Sequence, residues 1–270
     1  MEDRLLARAL SNAPWAAAWL ALLEEFLERK NVRGEPYHEA LCALFRDRQV
    51  PGAEARWLDY RFVAPQAASA RAYESRIHDA GEIETRENVH DLLNALAWTL
   101  YPQTKAAINH VHVRELGTIH DPATRGRARD AATLLDESGI LVVFDDPRME
   151  ALVRSAPWTD LFVEHRRAFL AHCVVLIVGH ALAEKLVSPY KALTAHALLV
   201  HVPSRELEQA RAGVVHEADR AAARALMRTD LAPGQLIAVP VLGIPGFCAA
   251  NEDPHFYADS AVFRPRRRDS

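Results

Sequence analysis

The chain has 270 residues, half of them hydrophobic and a quarter charged, with a formal net charge of −4. That composition suits a soluble globular protein long enough to bury a core without metal or disulfide staples, and it excludes a global basic field for nucleic acid or an acidic membrane. Cys42, Cys173 and Cys248 are scattered, odd in number and form no CxxC pair, which excludes a zinc ribbon or disulfide frame and points to a reducing compartment.

The first thirty residues are apolar, but acids interrupt them at both ends and no cleavage site follows, so the reading is a cytoplasmic protein without a secretion signal. Ser11, Asn12 and Pro14 signal a helix start, and the helix runs to about Lys30. A second helix spans about Pro36 to Asp47. The segment "RWLDYRFVAP" reads as a short edge strand, and an Ala-rich helix from about Pro65 to Asp79 follows. Thr85 is the expected N-cap of a helix that carries Glu87 in its first turn and stops at Pro102. Another helix begins near Gln103, "GTIHDPATRGR" is a loop, and a helix from about Arg125 to Glu137 ends at Ser138-Gly139.

"ILVVFDDP" is the clearest strand, a β-branched run bounded by Gly and Asp-Pro. Helices at about Pro147–Ser155 and Trp158–His172 precede a buried strand in "CVVLIVG" and a helix in "HALAEKL". The apolar run Phe169–Ala183 is too short to span a bilayer comfortably and contains two histidines. "HALLVHVP" is a third strand. Ser204 caps a long polar helix to about Arg228, and the remainder is extended and rich in Pro and Gly. The expectation is α+β: a predominantly helical single domain, residues 1–270, around a small mixed sheet. It has a helical amino-terminal segment (about 1–50) and an extended basic tail (about 264–270).

The chemistry lies in polar stripes on helices. In "TRENVHDLLNALAW", Leu92, Leu93, Leu96 and Leu100 share an apolar face with Val89, while Glu87, Asp91, Asn94 and Trp98 stand opposite, with His90 at the edge. Lys105, Asn109 and His112 form a second stripe, and Arg125, Arg129, Thr133 and Asp136 a third. Each stripe either meets solvent or helps to line one polar cavity, and spacing alone leaves both open. On the cavity reading Asn94, Trp98 and Asp136 line a substrate site, and Arg125 and Arg129 grip a small anionic ligand in paired hydrogen bonds. A second constellation places His180 at the end of a buried strand, with Glu184 one turn on and His196 opening the next strand. His180, Glu184 and His196 form a candidate set for a divalent metal, with His90, Asp91, His180 and Glu184 as acid–base groups. The bland alternative is a satisfied His–Glu pair in the core.

Familiar signatures do not fit. The His90-Asp91 doublet occurs in HD phosphohydrolases, which also need an earlier His and a later Asp; His38 or His78 and Asp130 or Asp136 are available, but the doublet alone does not establish that site. Glu87-x-x-His90 matches half of a helical di-iron pattern, and the second Glu-x-x-His is missing. HExxH, GxSxG, GxGxxG and the Walker A sequence are absent. "RPRRR" reads as a solvated tail, and "RGRARD" could hold an anion at its helix start.

Several stretches together, "TRENVHDLLNALAW", "YPQTKAAIN", "RGRARDAATLLDESG", "GHALAEKL", "PYKALTAHALL", "PVLGIPGF" and "DPHFYADSAVFRP", resemble the bacterial family catalogued as domain of unknown function 3025, from about residue 55 to 268. The resemblance implies a bacterial cytoplasmic protein with a single-domain layout and supplies no reaction. It marks His90, Asp91, Asn94, Arg129, Asp130, Asp136, Glu137, His180, Glu184, His196 and Tyr257 as motif members. The chain departs from the family pattern at Val89, where the family has Trp, and at Phe247-Cys248, where it has aromatics. The functional expectation is a hydrolase-like, metal-assisted enzyme, with a non-catalytic binding or partner protein as the alternative.

Overall fold

The computed structural model describes residues 2–11, 13, 15–48, 60–65, 73–118, 126–228 and 231–264. Three helices come first: α1 (Glu2–Ser11), α2 (Ala17–Asn31) and α3 (Tyr37–Asp47). Helix α2 starts at Ala17, with Ala16 in the cap position and no side-chain cap; the expected cap Asn12 and first-turn Pro14 lie outside the described residues. Trp19, Leu22, Leu23 and Phe26 recur at helical spacing and bury against α3, whose Ala40, Leu41, Leu44 and Phe45 are fully buried.

Strand β1 (Arg61–Val63) pairs in parallel with β2 (Glu82–Glu84), a strand that the sequence reading leaves unassigned. Between them lies α4 (Tyr73–Ala80); residues 66–72, the first part of the Ala-rich helix expected from Pro65, lie outside the described residues. Helix α5 (Val89–Leu100) starts later than expected. Its N-cap is Asn88, whose side chain accepts the Asp91 amide at 2.8 Å. Thr85 is instead buried and extended, its hydroxyl turned back to the Ile83 carbonyl at 3.1 Å, and Glu87 stays outside the helix. Helix α6 (Pro102–Thr118) follows at once. Asp219 of a later helix accepts the Gln103 and Thr104 amides at 3.0 and 2.7 Å, which satisfies orphan donors at the start of α6.

Helix α7 (Arg127–Ser138) runs directly into β3 (Gly139–Phe144), all six residues of which are buried. Helix α8 is Pro147–Ser155. The helix expected from Trp158 to His172 is divided into a π-helical turn at Asp160–Glu164 and α9 (Arg166–His172). Strand β4 (Cys173–Ile177), α10 (His180–Lys185) and β5 (Thr194–His201) follow. The long helix expected after Ser204 is two helices, α11 (Ser204–Arg211) and α12 (His216–Arg228), broken at Gly213, whose φ of 84° is one that glycine adopts without strain. Strand β6 is Ile237–Pro240.

The main sheet has the order β4-β3-β5-β6, with β3 parallel to β5 and the other pairs antiparallel. The fold is therefore α+β and mostly helical around a small mixed sheet, with the two-stranded ribbon beside it. The buried apolar residues form one cluster from Leu6 to Phe263. All three cysteines are free thiols; Cys173 is buried, and burial pushes its thiol up to about 12. No helix among the described residues is long and apolar enough to cross a membrane.

Two glycines position the site. A Cβ on Gly139 would stand 2.1 Å from the Leu135 carbonyl oxygen, and one on Gly179 would stand 2.5 Å from the Gly139 nitrogen and 2.6 Å from the Glu137 carbonyl oxygen. The end of β4 thus lies against the junction of α7 and β3, closed by the Val178 and Gly179 amides on the Gly139 carbonyl at 3.0 and 2.9 Å. The next residue, His180, is delivered onto the last turn of α7.

Candidate metal centre and its cavity

His90, in the first turn of α5, and His180, the first residue of α10, approach edge to face with ring centroids 4.6 Å apart. Their Nε2 atoms are 3.1 Å apart. Each Nδ1 already has an acceptor. That of His180 donates to the Asp136 backbone carbonyl at 3.0 Å, and that of His90 to the Glu184 carboxylate at 2.8 Å. A carbonyl and a carboxylate only accept, so both protons sit on Nδ1 and both Nε2 lone pairs are turned toward each other. Two acceptors at that distance repel unless a proton or a metal ion lies between them.

Glu137, the neighbour of Asp136 on α7, brings an oxygen to 3.7 Å from His180 Nε2. One donor atom each from His90, Glu137 and His180 lies within 4.8 Å of the others, so the three could hold a metal ion. Nitrogens bound to one ion at about 2.0–2.1 Å stand roughly 2.9–3.4 Å apart at octahedral to tetrahedral angles, which the Nε2 pair matches. Acceptors on the far ring nitrogens are the usual support for metal-binding histidines, because they fix the tautomer and the ring. Burial, with the Lys105 charge adding to it, lowers His180 to about 4 against the opposing pull of Asp136, so its Nε2 is an unprotonated donor near neutrality. Burial, assisted by the Asp136 charge, raises the Glu137 carboxyl.

Beneath this trio the three polar stripes meet. Lys105 is 2% exposed; its ammonium donates to Asn94 Oδ1 at 2.8 Å, pairs with the Asp136 carboxylate and lies 5.6 Å from the Trp98 ring centre. Burial raises Asp136, but the charge and hydrogen bond of Lys105, together with His180 and His112, outweigh it and hold the carboxyl low. Asn94 donates to the Tyr73 hydroxyl at 3.3 Å, and Asn109 donates to the Glu74 carboxylate at 2.6 Å. His112 is buried on the same stripe, with no hydrogen-bond partner for Nδ1 among the described residues. The trio opens onto a cavity of about 440 Å³, whose wall also includes Tyr73, Glu74, Glu84, Arg86, Asp91 and Asn94.

Of the residues expected at a site, His90, Asp91, Asn94, Asp136 and His180 therefore line one cavity, and Glu184 touches it through His90. Asp91 is engaged by Arg86: its carboxylate accepts the Arg86 amide at 2.7 Å and the guanidinium at 3.0 Å, and these bonds outweigh burial and lower its pKa. Trp98, expected on the cleft wall, is buried at 2% exposure against Tyr60, because the turn of α5 that carries it faces the core. His196, expected as a metal ligand, stands apart from the trio. It is the third residue of β5, with β3 between it and β4, and its Nδ1 faces the Ser138 hydroxyl at 2.8 Å. Arg129 sits half-buried two turns before Asp136 and is not on the cavity wall; Arg125 lies outside the described residues. Tyr257 is buried, its hydroxyl on the Gly243 carbonyl at 2.7 Å.

Spacing did not single out Glu137, Tyr73 or Glu74. The usable signal for Glu137 was its place beside Asp136 at a helix end followed by Ser-Gly, where the chain must turn into a buried strand. Lys105 lies on the second polar stripe, and its complete burial is legible only as a charge beside Ala106, Ala107 and Ile108.

Searches of curated proteins and of solved structures find no match to the chain. A family model does match, over residues 60–267, and that span takes in the whole trio, the Lys105 network and every strand of both sheets. The chain belongs to the family described as protein of unknown function (DUF3025).

Proposed function

We propose that this chain is a metal-dependent enzyme of the hydrolase type. It holds one divalent ion with His90, Glu137 and His180 and acts on a small substrate that presents an anionic or carbonyl oxygen to that ion. The observation that carries the reading is the pair of Nε2 atoms 3.1 Å apart, both with Nδ1 committed to an acceptor, beside a third donor on a cavity wall. A divalent cation there would supply Lewis-acid chemistry, polarising a substrate oxygen and acidifying water. The chain's own part is to hold the two imidazoles in one tautomer through Glu184 and the Asp136 carbonyl, and to keep His180 dry. Glu184, half-exposed beside His90, would act as the proton acceptor for that imidazole. Two imidazoles and a carboxylate serve zinc in water activation and also ferrous iron with open positions, so the identity of the ion divides hydrolytic from redox chemistry.

The test is elemental mass spectrometry of untagged protein purified without added metal. The expected result is close to one transition-metal ion per chain, lost from His90→Ala and His180→Ala variants that keep the native circular dichroism. No ion, together with no thermal shift on adding zinc, manganese, iron, cobalt, nickel or magnesium, would overturn the reading. One observation favours a second reading, a non-catalytic binding protein whose polar cluster is structural: Lys105, Asp136, Asn94 and Trp98 form a closed network beneath the trio. The double replacement His180→Ala and Glu184→Ala separates the two. The fold survives without its ion on the first reading and is lost on the second.

A further inference from the structure

The charges on the cavity wall are unequal in how they are met. Five carboxylates line it: Glu74, Glu84, Asp91, Asp136 and Glu137. Three have a cation of their own: Arg76 on Glu84, Arg86 on Asp91 and Lys105 on Asp136. Arg86 is the only Arg or Lys on the described wall, and the Nε–Nη2 edge of its guanidinium is engaged with Asp91, whose carboxylate balances its charge. An anion placed away from the metal trio therefore meets only a guanidinium whose charge Asp91 already balances. Glu137 belongs to the trio. Glu74 is left with the amide of Asn109 as its side-chain partner among the described residues. Burial of the Tyr73 hydroxyl, with smaller contributions from the charges of Asp136, Glu74 and Asp91, pushes it well above the usual phenol range. The independent sign that this cavity takes a ligand is the facing pair of Nε2 lone pairs on the same wall.

We propose that the substrate carries, besides the oxygen bound by the metal, a cationic amine or guanidine that docks against Glu74 beside Tyr73. This rests on the metal reading above and names the substrate class of that site as small and zwitterionic. With an ion on the trio and a carboxylate elsewhere on the wall, the cavity has one electrophilic and one anionic pole. A molecule with the opposite polarity at its two ends satisfies both without leaving a charge desolvated and unpaired.

Three hydroxamates of equal length test it by calorimetry on the metal-loaded full chain: 4-aminobutanehydroxamate, pentanehydroxamate and glutarate monohydroxamate. The amine-bearing probe is expected to bind about tenfold tighter than the methyl-ended one, the worth of a hydrogen bond to a charged group. The carboxylate-ended probe is expected to bind weakest. Glu74→Gln, which keeps an acceptor for Asn109, removes the amine's advantage and leaves pentanehydroxamate unchanged. Equal affinities, tighter binding of the carboxylate-ended probe, or an amine preference that survives Glu74→Gln would each overturn the proposal. If none of the three binds and elemental analysis finds no ion, the metal reading has failed. Butylamine against butyrate on the metal-free chain then decides the charge preference alone, and the absence of an amine preference overturns it.

Discussion

Gly179→Ala should damage the fold and the site together. The added methyl would lie 2.5 Å from the Gly139 nitrogen and 2.6 Å from the Glu137 carbonyl oxygen, both backbone atoms with no rotamer to escape through. Non-bonded carbon contacts settle near 3.5 Å, so β4 and the α7–β3 junction must part by about 1 Å. Overpacking of this kind costs about 1–3 kcal/mol. The separation also strains the Val178 and Gly179 hydrogen bonds to Gly139, now 3.0 and 2.9 Å, and losing buried bonds adds about 1–3 kcal/mol. Gly179 has φ −66° and ψ 117°, which alanine adopts readily, so reduced freedom in the unfolded chain returns about 0.4–1 kcal/mol. The net expectation is a loss of about 3 kcal/mol. At about 2.1 cal/mol/K per residue over 270 residues, that lowers Tm by about 5 °C. Differential scanning calorimetry reads the shift, and elemental analysis of the surviving folded protein should find metal occupancy reduced, because His180 moves with the displaced strand end. A Tm within 1 °C of the parent, with full occupancy, would refute the idea that this close approach sets the site.

Lys105→Met leaves Asp136 without its buried cation and should cost about 3–5 kcal/mol in urea denaturation. Combined with Asp136→Leu the loss should fall well short of the sum of the two single changes, and strict additivity would show that the pair is not coupled. Asp219 provides a pH test remote from the metal trio: burial raises its carboxyl to about 6, against the hydrogen bonds from Thr104 and Gln103. Because the folded value lies above the unfolded 3.8, the native state binds the proton more tightly, and this group's contribution to stability is largest below 3.8 and is lost as pH rises to about 6. The stability of the parent relative to Asp219→Asn should therefore improve as pH falls from 7 to 4, and a difference that is flat or of opposite sign would contradict the raised value. Tyr257→Phe removes a buried hydroxyl from the Gly243 carbonyl and should cost about 1–3 kcal/mol with metal content unchanged; a loss of metal would show that this residue matters to the site.

The buried strands were the legible part of the fold. β3 and β4 are β-branched runs bounded by Gly or Asp, β5 is a short apolar Ala-Leu-Val run ahead of Pro203, and all three lie close to where those patterns place them. Short elements were not legible: β2 has three residues, and its pairing with β1 depends on α3 and α4 flanking the ribbon rather than on any local signal. Gly213 ended a helix inside what reads as one polar periodic stretch. At the site, spacing puts Asp91, Asn94, Lys105 and Asp136 on polar stripes, with His90 at the edge of one, because i,i+4 periodicity decides which side chains share a face. It could not say which face is buried, and Trp98 shows why: an indole next to polar groups in sequence can turn inward once Tyr60 and Lys105 cover it. Nor could it pair His180 with His90 rather than with His196, since strand order is a property of the assembled sheet.

The three donors of the trio come from α5, α7 and α10, each more than forty residues from the next along the chain. No local segment can gather them, so an unfolded chain has no comparable site, and an ion bound there acts as a ligand of the native state alone. By mass action, free ion at a hundred times its dissociation constant adds about 2.7 kcal/mol to the stability of the whole fold. On the metal reading, depletion of the ion would therefore appear as a lower melting temperature of a chain that still folds, as well as loss of its chemistry.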